Sequence, residues 1–393
     1  MAKLTVKGLD LKGKSVLMRA DFNVPQDESL RITDDQRIRA TLPTIKYILD
    51  QGAARLILIS HLGRPKGKRV DKFSLKPVAE RLEELTGERV RFLDDCLGDM
   101  VKGEAQSAKE RLILLENLRF HAEEEANDAV FAKELASLAD LFVNDAFGTA
   151  HRAHASCAGV TKHLRSAAGF LLEKEIQYLG SAISNPRAPF MIILGGAKVS
   201  DKIGVIKNLL PKCDAILIGG GMSYTFLKAQ GKQIGNSKLE ADKVELAKGL
   251  LDKARELKKE ILLPIDHLVV DKIDADAKTE VVGEAIPAGK IAVDIGPQTL
   301  ESFKDKLKTA KTIVWNGPLG IFEIEPFSKG TQELAKFLAG LDAVKIIGGG
   351  DTAAAVAKFK LEDKMTHIST GGGASLEFLE GKILPGIAAL SDK

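Results

Sequence analysis

An α/β protein of two domains is what this sequence predicts, and three observations predict it. Short runs of Ile, Leu and Val alternate with longer amphipathic stretches, the pattern of strand–helix repetition. The runs are apolar throughout rather than at every second residue, which suits parallel strands covered on both faces. The 393-residue length exceeds the ~100–200 residues of one ordinary domain.

The elements follow in order. Ser15–Met18, Leu56–Ser60, Leu112–Leu115 and Leu141–Val143 read as strands of a first sheet, and Leu75–Leu85 as a helix. Leu172, Ile176, Leu179 and Ile183 share one helical face, and that helix should stop near Asn185-Pro186. A second series begins at Phe190–Leu194. It continues through Ala215–Ile218, Ile261–Leu263, Thr312–Trp315, Val344–Ile347 and Met365–Ile368, with a helix over Ala241–Leu257. The expected division is a first domain over 1–171, a joining helix over 172–185 and a second domain over 186–375.

Composition narrows the function classes. The net charge is +3, without a basic block, which argues against nucleic acid as a partner. Cys96, Cys157 and Cys213 are odd in number, far apart and outside any CxxC spacing, so reduced buried thiols are expected rather than disulfides or zinc. The N-terminal residues lack the apolar core of a secretory signal, and no apolar run approaches the ~18 residues of a membrane span. A cytoplasmic location without a membrane partner is the expectation.

Ligands of open α/β sheets bind beyond the carboxyl ends of the strands. In the first half those ends carry Arg19-Ala20-Asp21-Phe22-Asn23, His61-Leu62-Gly63-Arg64, Glu116-Asn117-Leu118-Arg119 and Asn144-Asp145, followed by His151-Arg152-Ala153-His154. Arg37 stands in Gln36-Arg37-Ile38-Arg39. On one sheet, Arg37, His61, Arg64, Arg119 and Arg152 would converge into a cationic site, with Asp21 and Asn23 able to grip a hydroxyl. Guanidinium forks match phosphate and carboxylate oxygens, so a small, multiply anionic, hydroxylated ligand is implied. A lone Arg there is as readily a solvated surface residue; the recurrence at comparable strand ends decides. His151 and His154 lack a neighbouring ligand set and do not read as a metal site.

In the second half the strand ends carry glycines: Gly195-Gly196-Ala197-Lys198 with Lys202, Gly219-Gly220-Gly221, Asn316-Gly317-Pro318, Gly348-Gly349-Gly350-Asp351-Thr352 and Gly371-Gly372-Gly373. Glycine admits phosphate to backbone amides, and helix starts favour anions. Any single cluster is as well explained by a tight turn. Lys198 and Lys202, four apart and expected on one helix face, tip the reading toward a nucleotide site. So do Asp351, able to hold Mg²⁺, and Thr352, able to donate to a phosphate. Neither GxxxxGK[ST] nor GxGxxG occurs, nor does a protein-kinase set.

Taken together and in order, Arg19–Pro25, Ser60–Pro65, Glu116–Phe120, Gly148–His154, Gly195–Lys202, Gly219–Gly221, Trp315–Pro318, Gly348–Thr352 and Ser369–Ser375 resemble the signature blocks of the phosphoglycerate kinase family. Ala20 and Asp27-Glu28-Ser29 depart from the usual pattern, outside the ligand set. The resemblance implies two doubly wound parallel-sheet domains facing an interdomain cleft, with a C-terminal segment over 376–393 returning to the first. It places phosphoglycerate at Asp21, Asn23, Arg37, His61, Arg64, Arg119 and Arg152. It places Mg-ADP or Mg-ATP at Gly195, Lys198, Lys202, Gly219, Asn316, Glu323, Gly349, Gly350, Asp351 and Thr352, with Asp351 beside the metal. Arg37, Lys198 and Lys202 would stabilise the transferring phosphoryl, assisted by the amides of Gly371, Gly372 and Gly373. A monomer acting on small molecules is implied. The competing readings are another small-acid kinase and a non-catalytic two-domain anion-binding protein.

Overall fold

The computed structural model describes residues 3–393. The chain divides into two compact units. The first comprises the chain up to Gln177 together with Ile383–Lys393, and the second Tyr178–Lys382.

The first unit is built on six strands: β1 (Ser15–Arg19), β2 (Arg55–Ile59), β3 (Val90–Leu93), β4 (Leu112–Leu115), β5 (Leu141–Asn144) and β6 (Arg165–Ala168). They lie in the order β3-β4-β2-β1-β5-β6, all parallel. Every residue of β4 is buried, as its uninterrupted apolar run requires. From β1 the chain moves toward β2, and from β5 toward β6. The exits of β1 and β5 therefore diverge, which makes a topological switch point. The C-terminal segment docks here: Leu4 N donates to Ser391 O at 2.9 Å, and Asn144 Nδ2 to Gly386 O at 3.1 Å.

The second unit repeats the plan. Its main sheet holds β7 (Phe190–Leu194), β8 (Ala215–Ile218), β9 (Glu260–Leu262), β13 (Thr312–Asn316), β14 (Val344–Gly348) and β15 (His367–Ile368). The order is β15-β14-β13-β7-β8-β9, again all parallel, with the switch point between β13 and β7. A three-stranded antiparallel sheet of β10 (His267–Val270), β11 (Glu280–Val282) and β12 (Ile291–Ile295) accompanies it.

The strands read from apolar runs are present within a residue or two. The helices expected over 75–85 and 241–257 are Lys76–Thr86 and, after a 3-10 turn at Ala241–Lys243, Val244–Glu256. The helix expected to stop near Asn185 is Phe170–Ser184. Three features escaped the sequence reading. β3 is an edge strand with Arg91 exposed, and β6 is mostly Ser and Ala, so neither makes an apolar run. The antiparallel sheet includes the short, exposed β11. The helix Gly373–Leu379 packs on Ile203–Leu209 in the second unit, and the return to the first begins at Ile383. No helix among the described residues is long and apolar enough to cross a membrane.

Candidate active site

In the first unit, a scaffold of buried hydrogen bonds sets the strand-end loops. The Glu116 carboxylate accepts from Leu75 N and Asn117 N, both at 2.8 Å, and from Ser74 Oγ at 2.7 Å. Asn117 Nδ2 donates to Leu62 O at 2.7 Å and Phe73 O at 2.9 Å, while its Oδ1 accepts from Arg119 N at 3.0 Å. These two buried side chains hold the 61–64 loop against the Leu118–Phe120 turn. Arg119 then donates to Gly63 O at 3.0 Å, and Gly63 N donates to Asn23 Oδ1 at 2.8 Å.

Asp21 and Arg37 form an ion pair. A Cβ on Gly148 would lie 2.3 Å from Asp21 Oδ2, so only glycine lets the exit of β5 pass this pair. The exit loops of β1, β2, β4 and β5, together with Arg37, thus meet at one end of the sheet.

His61 is buried, and Arg19 donates to its Nδ1 across 3.1 Å. Nδ1 must then be the acceptor, leaving the ring neutral with its proton on Nε2. Burial, then the charges of Arg19, Arg119 and Arg37, hold its pKa well below the ordinary value. Burial, then Arg119, Arg19 and Arg152, bring His154 down to about 3. Both imidazoles are therefore neutral members of a cationic cluster. Arg64 is exposed and Arg152 half-buried.

Arg19, the last residue of β1, lies outside the ligand set expected from the sequence, although an Arg ending an apolar strand is a readable signal. It is fully buried, and Nε donates to Ser156 Oγ at 2.8 Å. Ser156 Oγ in turn donates to the buried Glu124 carboxylate at 2.6 Å. Glu124 balances Arg19 through a hydroxyl, a relation between distant segments that sequence spacing does not reveal.

In the second unit the switch point is made of touching backbones. Gly195 N donates to Asn316 O at 3.0 Å and Gly196 N to Pro318 O at 2.8 Å. A Cβ on Gly195 would lie 2.1 Å from Pro318 O, and one on Gly219 2.6 Å from Leu319 Cδ2. These glycines let chain approach chain. A Cβ on Gly350 or Gly372 would instead meet open space, and Gly350 begins the helix Gly350–Lys358. Gly371 N is already engaged, donating to Ser369 Oγ at 3.2 Å. Open space thus flanks Gly350 and Gly372, whereas Gly195 and Gly219 are packed against neighbouring chain.

Lys198 and Lys202 do not share a helix face. The helix starts at Ile203 with Lys202 as its cap, and the turn before it leaves Lys198 exposed and Lys202 buried. Lys202 Nζ donates to Asn316 Oδ1. Burial lowers its pKa to about 8, opposed by Asp201, Asp351 and Glu380. Asp351 is exposed in the first turn of its helix. Thr352 is buried, and its Oγ1 accepts from Gly317 N at 2.6 Å, tying the exit of β13 to that of β14. Glu323 is exposed, and Lys358 Nζ caps the adjacent Phe322 O at 2.8 Å. Asn316 Nδ2 is buried with no hydrogen-bond partner.

The sequence profile described as phosphoglycerate kinase matches residues 6–382. The chain belongs to the phosphoglycerate kinase family. It is accordingly a kinase, a phosphotransferase. It is 58% identical over 404 residues to phosphoglycerate kinase of Koribacter versatilis, covering 100% of both chains. To that of Thermosipho africanus it is 55% identical over 399 residues, covering 100% of this chain and 99% of the relative. Among solved structures, phosphoglycerate kinase from Coxiella burnetii superposes with a TM-score of 0.90 at 44% identity, and that from Pyrococcus horikoshii with 0.86 at 32%. Each comparison covers 98% of both chains.

Proposed function

We propose that the protein transfers the acyl phosphoryl group of 1,3-bisphosphoglycerate to ADP, reversibly, giving 3-phosphoglycerate and ATP. The observation that carries this reading is the cationic cluster at the end of the first sheet, where Arg37, Arg119 and neutral His61 surround Asp21 and Asn23. Phosphate and carboxylate oxygens suit the guanidinium groups of Arg37, Arg64, Arg119 and Arg152, and the C2 hydroxyl suits Asp21 and Asn23.

The nucleotide falls to the second unit, at Lys198, Lys202, Asn316, Glu323, Asp351 and the glycines of its strand ends. The partnerless Asn316 Nδ2 is a donor awaiting an acceptor, which a nucleotide oxygen would supply. Thr352 supports this site from within, since its hydroxyl already ties two loops. An exposed carboxylate beside a lysine amine suits a cation shared with phosphate oxygens, so Asp351 would hold Mg²⁺. When bound, the ion neutralises nucleotide oxygens.

A β-phosphate oxygen of ADP attacks the acyl phosphorus, the bond to the acyl oxygen breaks, and the carboxylate leaves with the electron pair. Both oxygens are ionised at neutral pH, so no general base is needed. Placement and charge stabilisation by Arg37, Lys198 and Lys202 then carry the step. The chain passes between units within Phe170–Ser184, which we take as the hinge.

ATP formation from 1,3-bisphosphoglycerate and Mg-ADP, wild type beside Arg37→Ala, tests the reading. Turnover that collapses in the variant supports it. An inactive wild type would leave a non-catalytic anion-binding protein.

A further inference from the structure

The geometry points to a cation site in the first unit, built by Asp95, Cys96 and His121 for a soft divalent ion of the zinc class. One donor atom from each residue lies within 4.8 Å of the other two. Asp95 and Cys96 stand on the exit of β3, and His121 directly follows the Leu118–Phe120 turn on the exit of β4. These strands are parallel neighbours, so their exits lie side by side. Asp95 Oδ1 and His121 Nε2 are already 2.7 Å apart.

Carboxylate, thiolate and imidazole are zinc ligands, and three protein ligands leave a coordination position for water. Donors about 2.0–2.3 Å from a tetrahedral ion stand about 3.3–3.8 Å from one another. Binding would draw donors that now lie within 4.8 Å of one another to that spacing. Asp95 is exposed and His121 half-buried, so the site opens to solvent on their side, while Cys96 is fully buried. Asp95, Glu124 and Glu116 place negative charge around the sulfur, which favours a cation. On binding, the sulfur–metal bond replaces the S–H bond and the proton leaves to solvent.

The site is independent of the nucleotide-linked Asp351, which belongs to the other unit. A bound ion would clamp the β3 exit to the turn that carries Arg119. The lack of CxxC spacing argued against zinc in the sequence, but the third ligand arrives from a neighbouring strand.

Cobalt(II) added to the metal-stripped full chain tests the proposal, because thiolate ligation produces a charge-transfer absorption in the near ultraviolet. One equivalent should bind with that band, and zinc should displace it. The band should vanish in Cys96→Ser and persist in Cys157→Ser and Cys213→Ser. In His121→Gln, a change at a half-exposed position, affinity should fall by at least about tenfold, the loss that outer-shell partners alone produce. Absence of the band in the wild type, its survival in Cys96→Ser, or unchanged affinity in His121→Gln would each overturn the assignment.

Discussion

Lys202 should make nucleotide capture depend on pH in a range where the substrates do not titrate. Its amine is buried, and its pKa falls from 10.5 to about 8. In the free enzyme the charged fraction therefore drops about tenfold between pH 7 and pH 9. Because kcat/KM reports the enzyme form that meets the nucleotide, kcat/KM for Mg-ATP at saturating 3-phosphoglycerate should fall by about that factor. Lys202→Arg keeps the charge at every accessible pH and should flatten the profile, at lower absolute activity. A wild-type profile level from pH 7 to 9, or an equal fall in Lys202→Arg, would refute the reasoning.

The same shift has a stability consequence of definite sign. A lysine whose pKa is depressed on folding opposes folding while it is charged. The penalty is complete below about pH 8 and disappears above 10.5. The gap is worth about 3 kcal/mol. Lys202→Met removes it but forfeits the hydrogen bond to Asn316, worth about 1 kcal/mol. The ligand-free variant should thus be about 2 kcal/mol more stable than wild type at pH 7. That advantage should shrink as pH rises toward 10.5 in urea titrations.

Other outcomes follow from the scaffold. Gly195→Ala places a Cβ 2.1 Å from Pro318 O, against backbone that cannot step aside, so it should cost more than about 2 kcal/mol and weaken Mg-ADP binding by calorimetry. Asn117→Ala strands the Leu62 and Phe73 carbonyls and frees Arg119 N, which should cost about 2–4 kcal/mol and raise KM for 3-phosphoglycerate. His267 is buried, and burial lowers its pKa from 6.5 to about 4 against the opposing pull of Asp266 and the Glu284 backbone. Stability drawn from the neutral ring is complete above 6.5 and is lost as pH falls toward 4. At pH 5 the loss is about 2 kcal/mol relative to pH 8, and His267→Phe should not show it.

Much of the fold was legible because hydrophobic periodicity is a local property. Strands such as β4, buried on both faces, must be apolar at every position, and they announced themselves. β3 did not, because an edge strand can expose Arg91 at no cost. Within the site, the residue types and their strand-end positions were readable for the same reason: each lies a few residues beyond an apolar run.

Side-chain partnerships were not readable. Spacing put Lys198 and Lys202 on one face, but a turn that precedes the helix buries one amine and exposes the other. Glycines that look alike in sequence separate into those that admit another backbone, as Gly195 does beside Pro318, and those facing open space, as Gly350 does. Arg19, Ser156 and Glu124 form one buried chain in which Arg19 lies more than a hundred residues from its two partners. The sequence by itself determined that two series of parallel strands carry arginine and histidine at one set of ends and glycine, lysine and aspartate at the other. Only tertiary structure decided which charges are buried, which imidazoles are neutral and which donors await an acceptor. Burial and Coulomb energy depend on distances through space, and chain separation does not encode them.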